Sequence, residues 1–273
     1  MVDLTAIGFV FTAGLVTAIA TGIGAIPFFF IKKVSDRVNV IMWGFASGIM
    51  VAASVFGLLF EAISPHLPGV IPPRVLMLIG IGVVAGAALV WVAHRVISDA
   101  EVDPGDFTEA DYRKLLVILG ILTVHSFPEG VAVGVAFADL GVSGGTPFFG
   151  VAVPVLAIFM TVAISIHNIP EGVAISIPLR SMGVSPFRMV WWSIFSSLPQ
   201  PIGAVLAFGF VQIARDLLPM GFGFAAGAMV FLVATEFIPE ARAIGADLPH
   251  RGSRALIGGF TLGVLTMLPL LVV

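Results

Sequence analysis

Two stretches, VHSFPEGVAVGVAFA over residues 124–138 and IHNIPEGVAISIPL over residues 166–179, read almost alike. Each sets a histidine and a glutamate, His125 with Glu129 and His167 with Glu171, inside a long apolar run that has almost no other charge. A carboxylate in hydrocarbon costs about 2.5–3.5 kcal/mol or more, so such groups are retained where they are paired or functional. Two of them, each preceded four residues earlier by an imidazole, point to a divalent metal site inside a membrane.

Composition decides the solvent around these stretches. The 273-residue chain is 59% hydrophobic and 11% charged, with a mean hydropathy of +1.12. Soluble domains carry about 25% charged residues, so this chain lacks the polar surface to face water and reads as an integral membrane protein. A net charge of −3 and a pI near 5.9 give no basis for nucleic-acid binding. The lack of cysteine excludes disulfides and thiolate metal sites. The first apolar run has neither a basic lead-in nor a small-residue cleavage site and reads as a retained span.

About 20 apolar residues cross a bilayer as a helix. The pattern predicts an all-α membrane fold, a single domain over 1–273 with eight transmembrane helices at roughly 6–30, 39–61, 74–94, 115–138, 148–178, 188–210, 218–239 and 254–273. The fifth is long enough to tilt or to extend beyond the bilayer. The longest polar break, Arg95 to Lys114, carries Asp99, Glu101, Asp103, Asp106, Glu109 and Asp111. Alternate loops hold Lys32, Lys33 and Arg37; Arg95, Arg113 and Lys114; Arg180 and Arg188; Arg242, Arg251 and Arg254, which is 11 of the 13 basic residues. Basic loops stay cytoplasmic, so both termini are expected outside. Trp191 and Trp192 open span 6 at the inner interface, as an aromatic belt does.

The chain also resembles itself. Gly44-Phe45-Ala46-Ser47-Gly48-Ile49-Met50-Val51 matches Gly223-Phe224-Ala225-Ala226-Gly227-Ala228-Met229-Val230, and the same shift sets Glu61-Ala62 on Glu240-Ala241 and Ile23-Gly24-Ala25 on Ile202-Gly203-Ala204. Spans 1–3 and 6–8 therefore read as inverted repeats around spans 4 and 5, a 3+2+3 arrangement, although span 3 matches span 8 poorly. Inverted repeats with a site near the midplane recur in transporters. The paired glycines are also small-xxx-small patterns, which packing alone explains.

At i,i+4 each histidine shares a helix face with its glutamate. Pro128 and Pro170 remove a backbone donor and crowd the preceding turn, so freed carbonyls of broken helices are expected to line a cavity. Imidazole nitrogen with carboxylate oxygen suits Zn²⁺, Cd²⁺, Fe²⁺ or Mn²⁺, whereas an all-oxygen site favours Mg²⁺ or Ca²⁺. Two carboxylates neutralise a dication, and that offsets most of the cost of burial. A histidine ligand must be neutral, so binding is expected to weaken as pH falls through roughly 6. The plainer alternative, each histidine bonding only its own glutamate, accounts less well for two copies on adjacent antiparallel spans.

With eight spans, external termini and H-x-x-P-E-G motifs on spans 4 and 5, the chain resembles the ZIP (Zrt-/Irt-like) metal transporters over essentially its whole length, and their GufA-like bacterial branch in its short span 3–4 loop. The histidine-rich loop of many members is missing, which argues against metal sensing there. The resemblance implies a two-metal midplane site built by spans 4, 5 and 6. His125, Glu129, His167 and Glu171 correspond to its first position, with Asn168 at the edge. Ser126, Asn168, Glu171 and Gln200 correspond to its second, with Glu129 as a bridge. Asn168 stands where some members have aspartate and Gln200 where some have glutamate, so the second position is expected to bind weakly or to hold only water. Met50 corresponds to a pathway methionine, and Glu236 and Glu240 to acidic residues near the cytoplasmic exit. Glu61, the repeat partner of Glu240, suggests a role at the external mouth. Pro199 and Pro201 flank Gln200 and are expected to unwind span 6 there. His94, beside Arg95, is expected to contact headgroups.

The resemblance implies inward transport of Zn²⁺, with Cd²⁺, Fe²⁺ and Mn²⁺ as further substrates, no catalytic cofactor, a lipid bilayer of the cell inner membrane as surroundings, and a homodimer. Two other functions draw on similar residues. An intramembrane metalloprotease needs H-E-x-x-H on one helix, which the chain lacks. A metal-gated channel needs the same buried ligands and differs in its flux.

Overall fold

Apolar length and the placement of proline, serine and glycine set the element boundaries in the computed structural model, which describes residues 4–98, 109–142 and 145–271. The acidic segment with Asp99, Glu101, Asp103 and Asp106 lies outside the described residues. Eight helical rods appear among them. They are α1 (Leu4–Phe29), α2 (Asp36–His66), α3 (Pro73–Ser98), α4 (Glu109–Ala136), α5 (Val155–Ser181), α6 (Pro186–Ile213), α7 (Arg215–Ile244) and α8 (Ser253–Met267). Six of these, α1 to α3 and α5 to α7, are long and apolar enough to cross a membrane, and the chain is a mostly helical, multi-pass membrane protein.

Local chemistry explains the ends. Ser35 caps α2, its Oγ accepting from the Val38 N–H at 3.4 Å, with Asp36 in the first turn, where a negative charge suits the helix dipole. Pro73 and Pro186 open α3 and α6, positions where the missing N–H costs nothing. Within α6 the helix stops at Ser196 and restarts at Pro199. The interruption expected beside Gln200 thus falls at Ser197 and Leu198, and the prolines begin the second half. The breaks expected at Pro128 and Pro170 do not form: α4 and α5 run through both.

The fifth element also departs from expectation. Residues from 148 onward were expected to be helical, but Thr146–Phe148 and Val151–Val153 pair as an antiparallel hairpin, β1 and β2. Phe149 and Gly150 turn it with φ of 46° and 79°. Pro154 then precedes the first residue of α5. A proline biases the residue before it toward extended backbone, so the helix cannot reach back past Val153. Among the described residues the fold is therefore helical with one small β element.

Glycine contacts set the helix pairs. A Cβ on Gly82 or Gly86 of α3 would overlap backbone of Met220 or Phe224 in α7, and one on Gly223 or Gly227 of α7 would overlap Ile79 or Val83 in α3. Gly44 and Gly48 of α2 meet Leu256 and Phe260 of α8 in the same way, and Gly259 and Gly263 of α8 meet Ile41 and Phe45. Such small-residue faces let backbones approach closely in membranes. The Gly82/Gly86 and Gly259/Gly263 pairs are the common signal of α3 and α8 that the poor overall match conceals. α4 packs on α6 and α1 on α5, while α2 contacts α5 and α4 contacts α7. About 61% of the most apolar stretch of α2 and of α5 is buried, against 17% for α3; α5 is thus an inner helix and α3 an outer one, with Leu76, Met77, Ile81 and Val84 left facing outward.

Candidate metal centre

The two motif glycines bring the backbones together at the site. A Cβ on Gly172 of α5 would overlap the Thr21 carbonyl of α1, and one on Gly130 of α4 would overlap the Gln200 carbonyl of α6. Across the same contacts, Gly24 faces Ile169 and Val173, and Gly203 faces Phe127 and Val131. These are corresponding residues of the two matched segments and the two motifs. A side chain at any of them would push α1 from α5, or α6 from α4, behind the two motifs.

His125, Ser126, Glu129, His167, Asn168, Glu171 and Gln200 are all buried, none more than 3% exposed. Ligand atoms of Glu129, His167 and Glu171 lie within 4.8 Å of one another. His167 Nε2 is 3.2 Å from Glu129 Oε1 on α4 and 3.8 Å from Glu171 Oε1 one turn along α5. The i,i+4 pairing expected within each motif is therefore joined, in α5, by a cross-helix contact. His125 does not enter this group among the described residues; it is buried with Nδ1 lacking a hydrogen-bond partner. Glu171 Oε1, His167 Nδ1 and Asn168 Oδ1 are likewise buried without a partner. Buried polar atoms are rarely left so, and two acceptors beside an imidazole suit a cation.

Amides complete one side. Gln200 Nε2 donates to Glu129 Oε2 at 2.6 Å, and Asn168 Nδ2 donates to Gln200 Oε1 at 3.1 Å and to the Thr17 carbonyl at 2.7 Å. Thr21 Oγ1 and Ser197 Oγ lie 2.7 Å apart across α1 and the α6 interruption. Thr17 and Thr21 were not anticipated; the polar residues of α1 at one-turn spacing were the signal available for them. Ser126 is buried beside the motif.

The outlying candidates sit elsewhere. Met50 is fully buried in the apolar core and its carbonyl accepts from Ser54 Oγ. Glu236 lies in a π-helical turn of α7, Val233–Phe237, and its Oε1 is 2.5 Å from His94 Nδ1 on α3. His94, itself partly exposed, thus contacts a neighbouring helix. Glu240 is exposed one turn later.

Comparison with known proteins adds an independent line. The sequence model described as ZIP zinc transporter matches residues 97–270. Zinc transporter GufA of Myxococcus xanthus is 28% identical over 92% of this chain and 95% of its own length. Zinc transporter ZIPB of Bordetella bronchiseptica is 31% identical over 94% of this chain and 79% of its own length. A protein of Arabidopsis thaliana provisionally named a zinc transporter is 40% identical over 83% of this chain, which spans 33% of that relative.

Proposed function

The chain belongs to the ZIP zinc transporter family, and from that premise we propose that it carries divalent transition-metal ions, zinc foremost, through a membrane into the cytoplasm. It is a transporter and not an enzyme. The observation that carries this reading is the buried cluster of Glu129, His167 and Glu171, whose ligand atoms lie within 4.8 Å of one another on α4 and α5. Two carboxylates and an imidazole match the charge and the mixed ligand preference of Zn²⁺, and Cd²⁺, Fe²⁺ and Mn²⁺ share enough of that chemistry to follow. His125 supplies a further imidazole when an ion is bound. Glu236 and Glu240 line the cytoplasmic side of the path and Met50 its apolar wall.

The proposed setting is the cell inner membrane, with α4 and α8 as spans 4 and 8, a 3+2+3 inverted repeat, a homodimer and external termini. The corresponding glycine contacts of α2 with α8 and α7 with α3 support the repeat, and the 11 basic residues in alternate loops support the orientation. Neutralising the cation with two carboxylates makes the midplane tolerable to it, and water at either mouth competes for the ion when the site opens. Neither a protease nor a channel gains support. Uptake of Zn²⁺ by proteoliposomes tests the proposal: saturable uptake, lost in Glu171→Ala, is expected. No uptake by the intact chain, or undiminished uptake by the variant, overturns it.

A further inference from the structure

At one end of the helices, the links from α1 into α2 and from α5 into α6 are held together by a small apolar cluster of their own. Ala25 and Phe28 at the end of α1 pack with Leu179 of α5 and Met189 of α6, and Val34 and Met42 pack against them. Phe28 points inward at 1% exposure, while Phe30 is 87% exposed and Phe187, at the start of α6, 78%. Phe29 and Phe187 meet edge to face with ring centroids 5.0 Å apart, so the two links share one surface. Trp191 is exposed one turn further along α6. The surface is also basic. Residues 24–40 and 179–195 hold Lys32, Lys33, Arg37, Arg180 and Arg188 against a single carboxylate, Asp36. Asp36 sits in the first turn of α2, where the helix dipole favours it. Lys32, Lys33, Arg37 and Arg188 are exposed and have no carboxylate partner among the described residues. By contrast, Arg74 and Arg215 each pair with an aspartate.

We infer that this surface holds an anionic phospholipid, with its phosphate among Lys32, Lys33 and Arg188 and its acyl chains beside Phe30, Phe187 and Trp191. Both parts of a lipid are called for. Ammonium and guanidinium groups without partners make charge-assisted bonds to phosphate, and basic segments beside a span gain from anionic headgroups. A free phosphate ion makes no use of the exposed rings, whereas aromatic residues favour headgroup depth. A charge bias spread over alternate loops orients a chain in the bilayer; here the fold gathers the cations of two links on one platform framed by aromatic rings. On the proposed orientation that platform faces the cytoplasmic leaflet. Its position also matters. α1 supplies Thr17 and Thr21, and α6 supplies Ser197 and Gln200, to the polar surroundings of the buried cluster. A bound lipid ties the ends of both helices to the start of α2.

The lipid surface is separate from the buried cluster, so zinc binding serves as the control for folding. Full-length protein in detergent is titrated with phosphatidylglycerol, with phosphatidylcholine of the same chains and with soluble glycerol phosphate, and native mass spectrometry reads the molecules bound per chain. Wild type is expected to retain one phosphatidylglycerol and to bind it at least about tenfold more tightly than either alternative. Lys32→Gln/Lys33→Gln/Arg188→Gln is expected to bind it about 100-fold more weakly, at roughly fivefold per charge, with zinc binding unchanged. Arg242→Gln/Arg251→Gln/Arg254→Gln, which removes the same charge from the link between α7 and α8, is expected to bind it as wild type does. Phe30→Ser, at an exposed position, is expected to weaken it about tenfold and keeps the test in force if the first variant fails to fold. Equal binding of the two lipids, equal losses in the two triple variants, glycerol phosphate bound as tightly as the lipid, or wild-type retention by Phe30→Ser overturns the inference and leaves the cation site untouched.

Discussion

Glu171→Gln separates ion binding from folding. Glu171 Oε1 has no hydrogen-bond partner, and its carboxylate lies within 4.8 Å of that of Glu129. Two ionised carboxylates at that separation repel by about 3.5 kcal/mol or more at an effective dielectric of about 20. The neutral amide removes this repulsion without giving up a bond, so the ion-free variant is predicted to be at least as stable as wild type. Binding behaves oppositely. Losing one member of a buried charge pair costs about 3–5 kcal/mol, and each 1.4 kcal/mol is tenfold, so the zinc Kd should rise by about two to three and a half orders of magnitude. Thermal unfolding of the full-length protein in detergent, with and without zinc, reads both effects, and titration calorimetry supplies the affinities. Wild type gains stability from zinc by mass action; the variant should not. A variant several kcal/mol weaker without metal, or one that binds zinc as wild type does, contradicts the geometry described for Glu171.

Three further predictions follow from the same structure. Gly172→Ala places a methyl group on the Thr21 carbonyl and should cost about 1–3 kcal/mol or more through overpacking, whereas Gly80→Ala in α3, with open space around it, should be neutral or mildly stabilising; yield and unfolding temperature in detergent compare them. His167→Ala should weaken zinc binding by at least about 100-fold, and His125→Ala by less, because only His167 lies with both glutamates and a lost ligand exposes a buried charge; equal losses in calorimetry would contradict that ranking. Zinc affinity should fall steadily with acidification, since protons compete with the cation for imidazole and carboxylate alike; binding that is flat from neutral pH to mildly acid pH would count against these ligands.

Much of this was visible in the chain itself, for identifiable reasons. A glutamate in an apolar run is conspicuous because hydrocarbon makes it expensive, so Glu129 and Glu171 stood out, and their repeated histidines came with them. Helical periodicity could place His167 against Glu171. It could not place His167 against Glu129, because that contact depends on how α4 and α5 lie against each other in three dimensions. The His125–Glu129 pair, equivalent in sequence, is differently disposed: His125 stays outside the cluster that Glu129 joins. The hairpin at Thr146–Val153 escaped because Phe148, Val151 and Val153 are as apolar as the helix that follows; Pro154 was the available boundary signal. The amide chain from Thr17 to Gln200 joins residues 151 and 32 positions apart, a distance over which spacing carries no information.

An anomalous difference map at the zinc edge, from zinc-soaked crystals of the full-length protein, bears on the whole chemical reading at once. The strongest peak should lie about 2.0–2.2 Å from Glu129 Oε1, His167 Nε2 and a Glu171 oxygen, the range of Zn–N and Zn–O bonds. A map with ordered zinc only at surface residues, and none between these three side chains, would contradict it.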